Sequence, residues 1–187
     1  MFQSTKVIAT KVIDPHGDVF IVHQPTLTAF KVSSKVLCLA STRLSGILAC
    51  YPLRAGTPPA EIDLVEGSPE AYEIVFNILH LKNNLIRHNI PSDLLYQIAK
   101  VGNAFHLNEA LGIWKDVWMS SQEVSGKKKL CLMLLFSNQK GFKEECMNLI
   151  LSGEGESEDD TEKGWDWGVL QEVPGRYTFH PTISLQL

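Results

Sequence analysis

The sequence has no apolar run long enough to cross a bilayer. Its longest, Leu130 to Phe136, falls far short of the ~20 residues a spanning helix needs. Met1 to Lys11 lack the long apolar core behind a basic start that a secretory signal requires. Cysteine is scarce, with four in 187 residues, and Cys38, Cys50, Cys131 and Cys146 form no C-x-x-C pair. Without close pairs, one turn cannot present two thiolates tetrahedrally, so no metal site is expected and the thiols read as free, as in a reducing compartment. Concentrated basic charge is missing too. The 17 basic residues divide 15 before and 2 after Ser152, and the 21 acidic ones 13 and 8, so a nearly neutral body precedes an acidic tail. Lys127, Lys128 and Lys129 form the body's basic run, too little for the Lys/Arg field that phosphate backbones require. Neither G-x-x-x-x-G-K-[ST] nor G-x-G-x-x-G occurs, and no G-x-S-x-G elbow does. The expectation is an intracellular protein, cytoplasmic or nuclear, with no cofactor, no nucleic-acid partner and no membrane partner.

Hydropathy patterning is what the sequence has in abundance. Asp14-Pro15-His16-Gly17 carries turn chemistry, with proline fixing φ and glycine free to take a positive one. The apolar run Val19 to Val22 after it reads as a buried strand, Gln24-Pro25-Thr26 breaks it, and Thr28 to Val32 returns as the second arm of a hairpin. His16 and Asp18 around the glycine could serve acid-base chemistry, but the turn accounts for each residue. Ser33 and Ser34 are plausible N-caps for a helix through Ala40, and a capping role suits them better than a nucleophilic one. Ser41-Thr42 repeats the device before Leu44, Ile47 and Leu48.

Tyr51 to Pro59 is a proline- and glycine-rich loop, and Glu61 to Leu64 alternate as a half-exposed strand. Ser68-Pro69-Glu70 starts a helix carrying Ala71, Ile74, Val75, Ile78 and Leu79 on one face. Pro91-Ser92-Asp93 starts the next, and Asn108-Glu109 a third that holds Trp114 and Trp118 at packing distance. His80 and His88 read as a helix end and a loop residue, not as metal ligands. Two further helices are expected, over Leu130 to Phe136 and along a stripe of Phe142, Cys146, Leu149 and Ile150. Gly153 to Lys163 holds six acidic residues and almost nothing apolar, and reads as a disordered linker.

The order of strand, hairpin, two capped short helices, loop, strand and successive amphipathic helices resembles a BTB/POZ domain, and the match covers most of the chain. Asp18 to Val22 is similar to that family's first strand. Phe30-Lys31-Val32-Ser33-Ser34-Lys35-Val36-Leu37-Cys38-Leu39-Ala40-Ser41 resembles its signature of aromatic strand, cap and Val-Leu helix. Ser68 to His80, and Ile98 through Trp118, resemble the helices that follow, especially in forms from filamentous fungi. Leu130 to Leu151 resembles their helical extension. The resemblance implies an α+β (α/β) fold with a small sheet of about three strands flanked by five or more helices. The expected organisation is an arm over 1–13, a BTB/POZ domain over 14–121, a helical extension over 122–152, and an acidic linker with an aromatic tail over 153–187.

The function the resemblance implies is protein interaction without catalysis: pairing with itself or with another BTB protein, or adapting substrates to a cullin 3 ubiquitin ligase. Two family features are replaced here. Ser33 and Ser34 stand where many members have histidine and a basic residue, so the resemblance implies no charged pocket built with Asp18, and the loop over 51–60 has no hydrophobic-x-Glu triplet of the cullin-binding kind. A small helical enzyme with an unrecognised site is the alternative of another class. Val36, Leu37, Leu39 and Ala40 place four apolar residues in five positions, more than one core contact needs, so this helix either shares its surface with a partner or is buried wholly in its own core. Trp165 and Trp167 in Gly164-Trp165-Asp166-Trp167-Gly168 are candidate anchors, either for a partner's pocket or for the chain's own body.

Overall fold

The computed structural model describes residues 8–51, 60–64, 67–121, 124 and 126–152. Four strands, β1 (Ala9–Val12), β2 (Val19–His23), β3 (Thr28–Val32) and β4 (Ala60–Leu64), form one mixed sheet in the order β1-β3-β2-β4. β2 and β3 are the antiparallel hairpin read from the alternating apolar residues, with Ile21 opposite Phe30. β4 lies parallel to β2, Ile21 opposite Ile62, and a parallel return of this kind needs a crossover. The crossover contains two short helices, α1 (Ser34–Ala40) and α2 (Thr42–Ala49). The fold is thus α+β, with one strand more than the sequence suggested. The added strand is β1, from the opening segment that reads as an N-terminal arm or strand. It pairs parallel with β3, Lys11 opposite Phe30, and its Lys11 ammonium is paired with the Glu73 carboxylate.

The helices α3 (Pro69–Leu79), α4 (Ser92–Ala104) and α5 (Gly112–Ser121) follow β4. Ser68 caps α3, its Oγ accepting from the Ala71 amide at 3.2 Å, with Pro69 in the first turn where a missing N–H costs nothing. α3 packs on β3, α1 and α4, so it is apolar nearly all round: Ala71, Tyr72, Ile74, Val75, Phe76 and Ile78 are all buried. Phe30 of β3 meets Phe76 edge-on with ring centres 5.5 Å apart, and Tyr72 stacks on Phe76 at 5.7 Å. This aromatic group joins sheet to helices. α5 starts four residues later than Asn108 suggested, because residues 108–111 form turns, with the Gly112 amide bonded to the Glu109 carbonyl. Trp118 is fully buried, its indole N–H donating to the Arg87 carbonyl at 2.9 Å, and Trp114 lies beside it at 5.8 Å.

The chain divides into two compact units between Val124 and Ser125. In the second, α6 (Gly126–Leu135) packs with α7 (Gln139–Ser152). α6 begins earlier than expected and takes in Lys127 to Lys129. Lys129 reaches across to Glu145 of α7 at 2.7 Å, and that pairing accounts for a glutamate that is nearly buried. Phe142, Cys146 and Leu149 lie half-buried along α7 as the stripe predicts, whereas Ile150 is 65% exposed. Among the described residues no helix is long and apolar enough to cross a membrane. The acidic linker and the aromatic tail, including Trp165 and Trp167, lie outside the described residues.

Candidate functional site

The hairpin, α1 and the end of α3 meet at the entry to α1, and the way its amides are satisfied differs from the sequence reading. Ser33 stands at the N-cap position but its hydroxyl makes no capping bond. Asp18, at the start of β2, supplies the acceptor: one carboxylate oxygen takes the Ser34 amide at 2.7 Å and the other takes the Ser34 hydroxyl at 2.6 Å. A carboxylate there also faces the positive end of the helix. The Ser33 amide donates instead to His80 Nε2 at 3.1 Å. Since His80 Nδ1 lies 2.8 Å from the Phe76 carbonyl, which can only accept, the ring proton sits on Nδ1 and Nε2 is free to accept. Asp18 and His80, read in the sequence as a turn residue and a helix end, are what fix α1 on the sheet.

Gly17 brings Asp18 into place by close approach. A β-carbon on Gly17 would lie 2.5 Å from the Val32 carbonyl oxygen and 2.9 Å from the Val32 nitrogen. The positive φ expected of Gly17 is absent, since the glycines with positive φ among the described residues are Gly67 and Gly126. The turn itself is closed by Asp14, whose carboxylate accepts from the His16 amide at 2.9 Å. His16 and Asp18 therefore serve two separate bonds, one inside the turn and one to the entry of α1.

Partial burial pushes the Asp18 carboxyl upward, but the bonds from the Ser34 side chain and amide, its own amide and the Lys35 charge outweigh it and hold the group below the ordinary aspartate value. A carboxyl depressed by folding contributes stability that is fully present above its unfolded pKa and is lost as pH falls through the folded one. Asp18→Ala is thus expected to lower stability by about 1 kcal/mol at neutral pH, the usual worth of a helix cap. Urea unfolding at pH 7 and below pH 3 checks this: the gap between wild type and variant should narrow in acid, and an equal gap at both pH values would remove the carboxylate from the account.

A second histidine sits deeper. His23, at the end of β2, is buried, with Nε2 3.1 Å from the Gly67 carbonyl and Nδ1 2.8 Å from Thr26 Oγ1. The carbonyl accepts, so Nε2 carries the proton, Nδ1 accepts from the Thr26 hydroxyl, and Thr26 in turn accepts from Thr28 at 2.9 Å. Both ring nitrogens are used in tying the turn over Gln24–Thr26 to the approach to α3. Nothing in the pattern of the strand marks this residue, because a polar residue closing an apolar run reads as its solvent-facing end.

Four candidate residues sit on α1, and the helix separates them. Leu37 is fully buried and belongs to the core, so of the two readings left open for this helix, burial in its own core holds at Leu37. Leu39, two residues on and about 200° round the helix, is 89% exposed. Val36 and Ala40, one turn apart, are half-buried beside it. Ser41 ends this surface: its hydroxyl accepts from the Leu44 amide at 3.0 Å, capping α2, and donates to the Phe105 carbonyl. Arg43 continues the exposed side, its guanidinium 5.9 Å from the Phe105 ring centre. The surface is an aliphatic knob with exposed Lys35 one turn before Leu39, on a helix hydrogen-bonded to the rest of the fold at both ends. Such a surface can dock against another protein; its aliphatic groups offer no proton or electron pair to a reaction. Among the described residues no group of three or more His, Cys, Asp or Glu side chains is placed to hold a metal ion. No protein-family model matches this chain, and no curated protein matches it.

Proposed function

We propose that the chain is a protein-interaction module of the BTB/POZ type that assembles with itself or with a related domain through α1, and that it carries no catalytic activity. The observation that carries this reading is Leu39, an aliphatic side chain 89% exposed on a helix whose ends are pinned by Asp18, His80 and Ser41. A large apolar side chain held out by a rigid, well-capped helix suits the centre of an interface better than a flexible surface does, because little ordering entropy is lost on docking. The architecture supports the same reading: β1, the antiparallel hairpin of β2 and β3, the short helices α1 and α2, the parallel strand β4 and then successive helices follow the order of the resemblance.

Sedimentation or light scattering on the purified full chain across a concentration series tests it. Wild type is expected to self-associate, and Leu39→Lys to weaken association about tenfold or more, which corresponds to about 1.4 kcal/mol. At a dilution where both chains are monomeric their unfolding midpoints should agree, since exposed substitutions cost roughly 0.5 kcal/mol or less. A chain that stays monomeric at high concentration, and takes no related BTB domain as partner, would sink the proposal. Co-purification with a cullin that depends on the same surface would move it to the adaptor reading.

A further inference from the structure

The last turns of α7 carry an apolar stripe that the described residues leave open. Met147, Ile150 and Leu151 are 58%, 65% and 79% exposed, and their spacing of three and four residues sets them on one side of the helix. Lys143 continues that side one turn earlier, with Lys140 beyond it; both are exposed, and Lys140 has only a 3.9 Å contact with Glu144. The stripe is therefore apolar at its C-terminal end, and at its N-terminal end it carries Lys140 and Lys143 with Glu144 beside them, one net positive charge. The sequence that follows has the complementary pair of properties. Six acidic residues fall within Gly153 to Lys163, and Trp165 and Trp167 come directly after.

We propose that the segment Gly164 to Gly168 folds back onto α7, with Trp165 and Trp167 packed over Met147, Ile150 and Leu151. Reach favours it. The stripe lies within about 8 Å of the end of the helix, and twelve residues, the number over 153–164, suffice to cover roughly 20 Å. Tethering at that length gives the tryptophans an effective concentration in the millimolar range, far above that of any second copy in solution. Charge favours it as well. A second α7 packed in parallel would bring Lys143 towards its own kind, whereas the linker carries six carboxylates that can approach it. Aromatic rings also pair well with a methionine thioether, and Met147 supplies one.

Hydrogen exchange on the full chain, with peptides covering residues 146–152, reads the contact directly. Replacing both tryptophans, Trp165→Ala with Trp167→Ala, is expected to speed exchange there about fivefold, as removing a docked segment opens a helix end. The converse variant, Met147→Ser with Ile150→Ser, should leave the tail tryptophans as open to iodide quenching as those of an unfolded peptide; their signal is the difference between chains with and without Trp165 and Trp167. Exchange unchanged by the tryptophan substitutions overturns the proposal, as do tail tryptophans already fully quenched in the wild type. Protection that rises with protein concentration and survives loss of both tryptophans also overturns it, and assigns the stripe to a second copy.

Discussion

Gly17→Ala should be among the most damaging single substitutions in the first unit, lowering stability by about 3 kcal/mol, at the upper end of what an overpacked site costs. The atoms in the way are backbone. A β-carbon would lie 2.5, 2.7 and 2.9 Å from the carbonyl oxygen, carbonyl carbon and nitrogen of Val32, the last residue of β3. No side-chain rotation can relieve such a clash, so the turn must lift off the strand. Lifting it pulls on the bond from the Asp18 amide to the Val32 carbonyl, 3.1 Å long, and carries away the carboxylate that caps α1. The loss should therefore reach α1 as well as the turn. Gly46→Ala is the matched control: a β-carbon there meets nothing within 4 Å, and alanine in a helix is favoured by roughly 0.5–1 kcal/mol. Urea unfolding of the two variants should shift in opposite directions. Equal shifts would show that the approach of Gly17 to Val32 is not tight in solution.

Leu37→Ala is expected to cost about 2–5 kcal/mol, the range for deleting a fully buried leucine and leaving a cavity. Its sensitivity comes from position, since α1 contacts both α2 and α3, and a void beneath α1 loosens the support of both. Leu39→Ala, with the same atoms removed two residues along, should change stability by no more than about 0.5 kcal/mol. The pair separates core from surface within one short helix, by thermal or urea unfolding of each variant. Comparable losses from both would mean that Leu39 is covered within the chain, and would take the central residue out of the proposed interface. A loss at Leu39 that appears only at high protein concentration would instead strengthen that interface, because association stabilises the folded state by mass action.

Much of the fold is legible in the order of residues because the information there is local. Alternation places Ile62 and Leu64 inward on β4, and Ser68 with Pro69 starts α3 where the capping rules put it. The hairpin of β2 and β3 and the helix pair α1 and α2 follow from turn residues and from three- and four-residue spacing in the same way. Periodicity can also say that Val36, Leu37, Leu39 and Ala40 share one short helix. It cannot say which of them faces the core, because four apolar residues in five positions cover most of its circumference.

Tertiary structure decided what depends on residues far apart in the chain. The carboxylate that caps α1 lies 16 residues before it and the imidazole that takes its other amide lies 47 residues beyond, so no local pattern exposes either. Gly17 has the look of a turn glycine because sequence shows the turn and not the strand pressed against it. The segment of β1 reads equally as an arm or a strand, since what makes it a strand is its pairing with β3, 19 residues further along the chain. By itself the sequence determined the hairpin of β2 and β3 and the order of the helices, the scarcity of metal-ligand spacing and the division between a neutral body and an acidic tail. The tertiary structure alone turned Leu37 inward and Leu39 outward, because burial is settled by what packs over a helix, and for α1 those neighbours are α2 and α3.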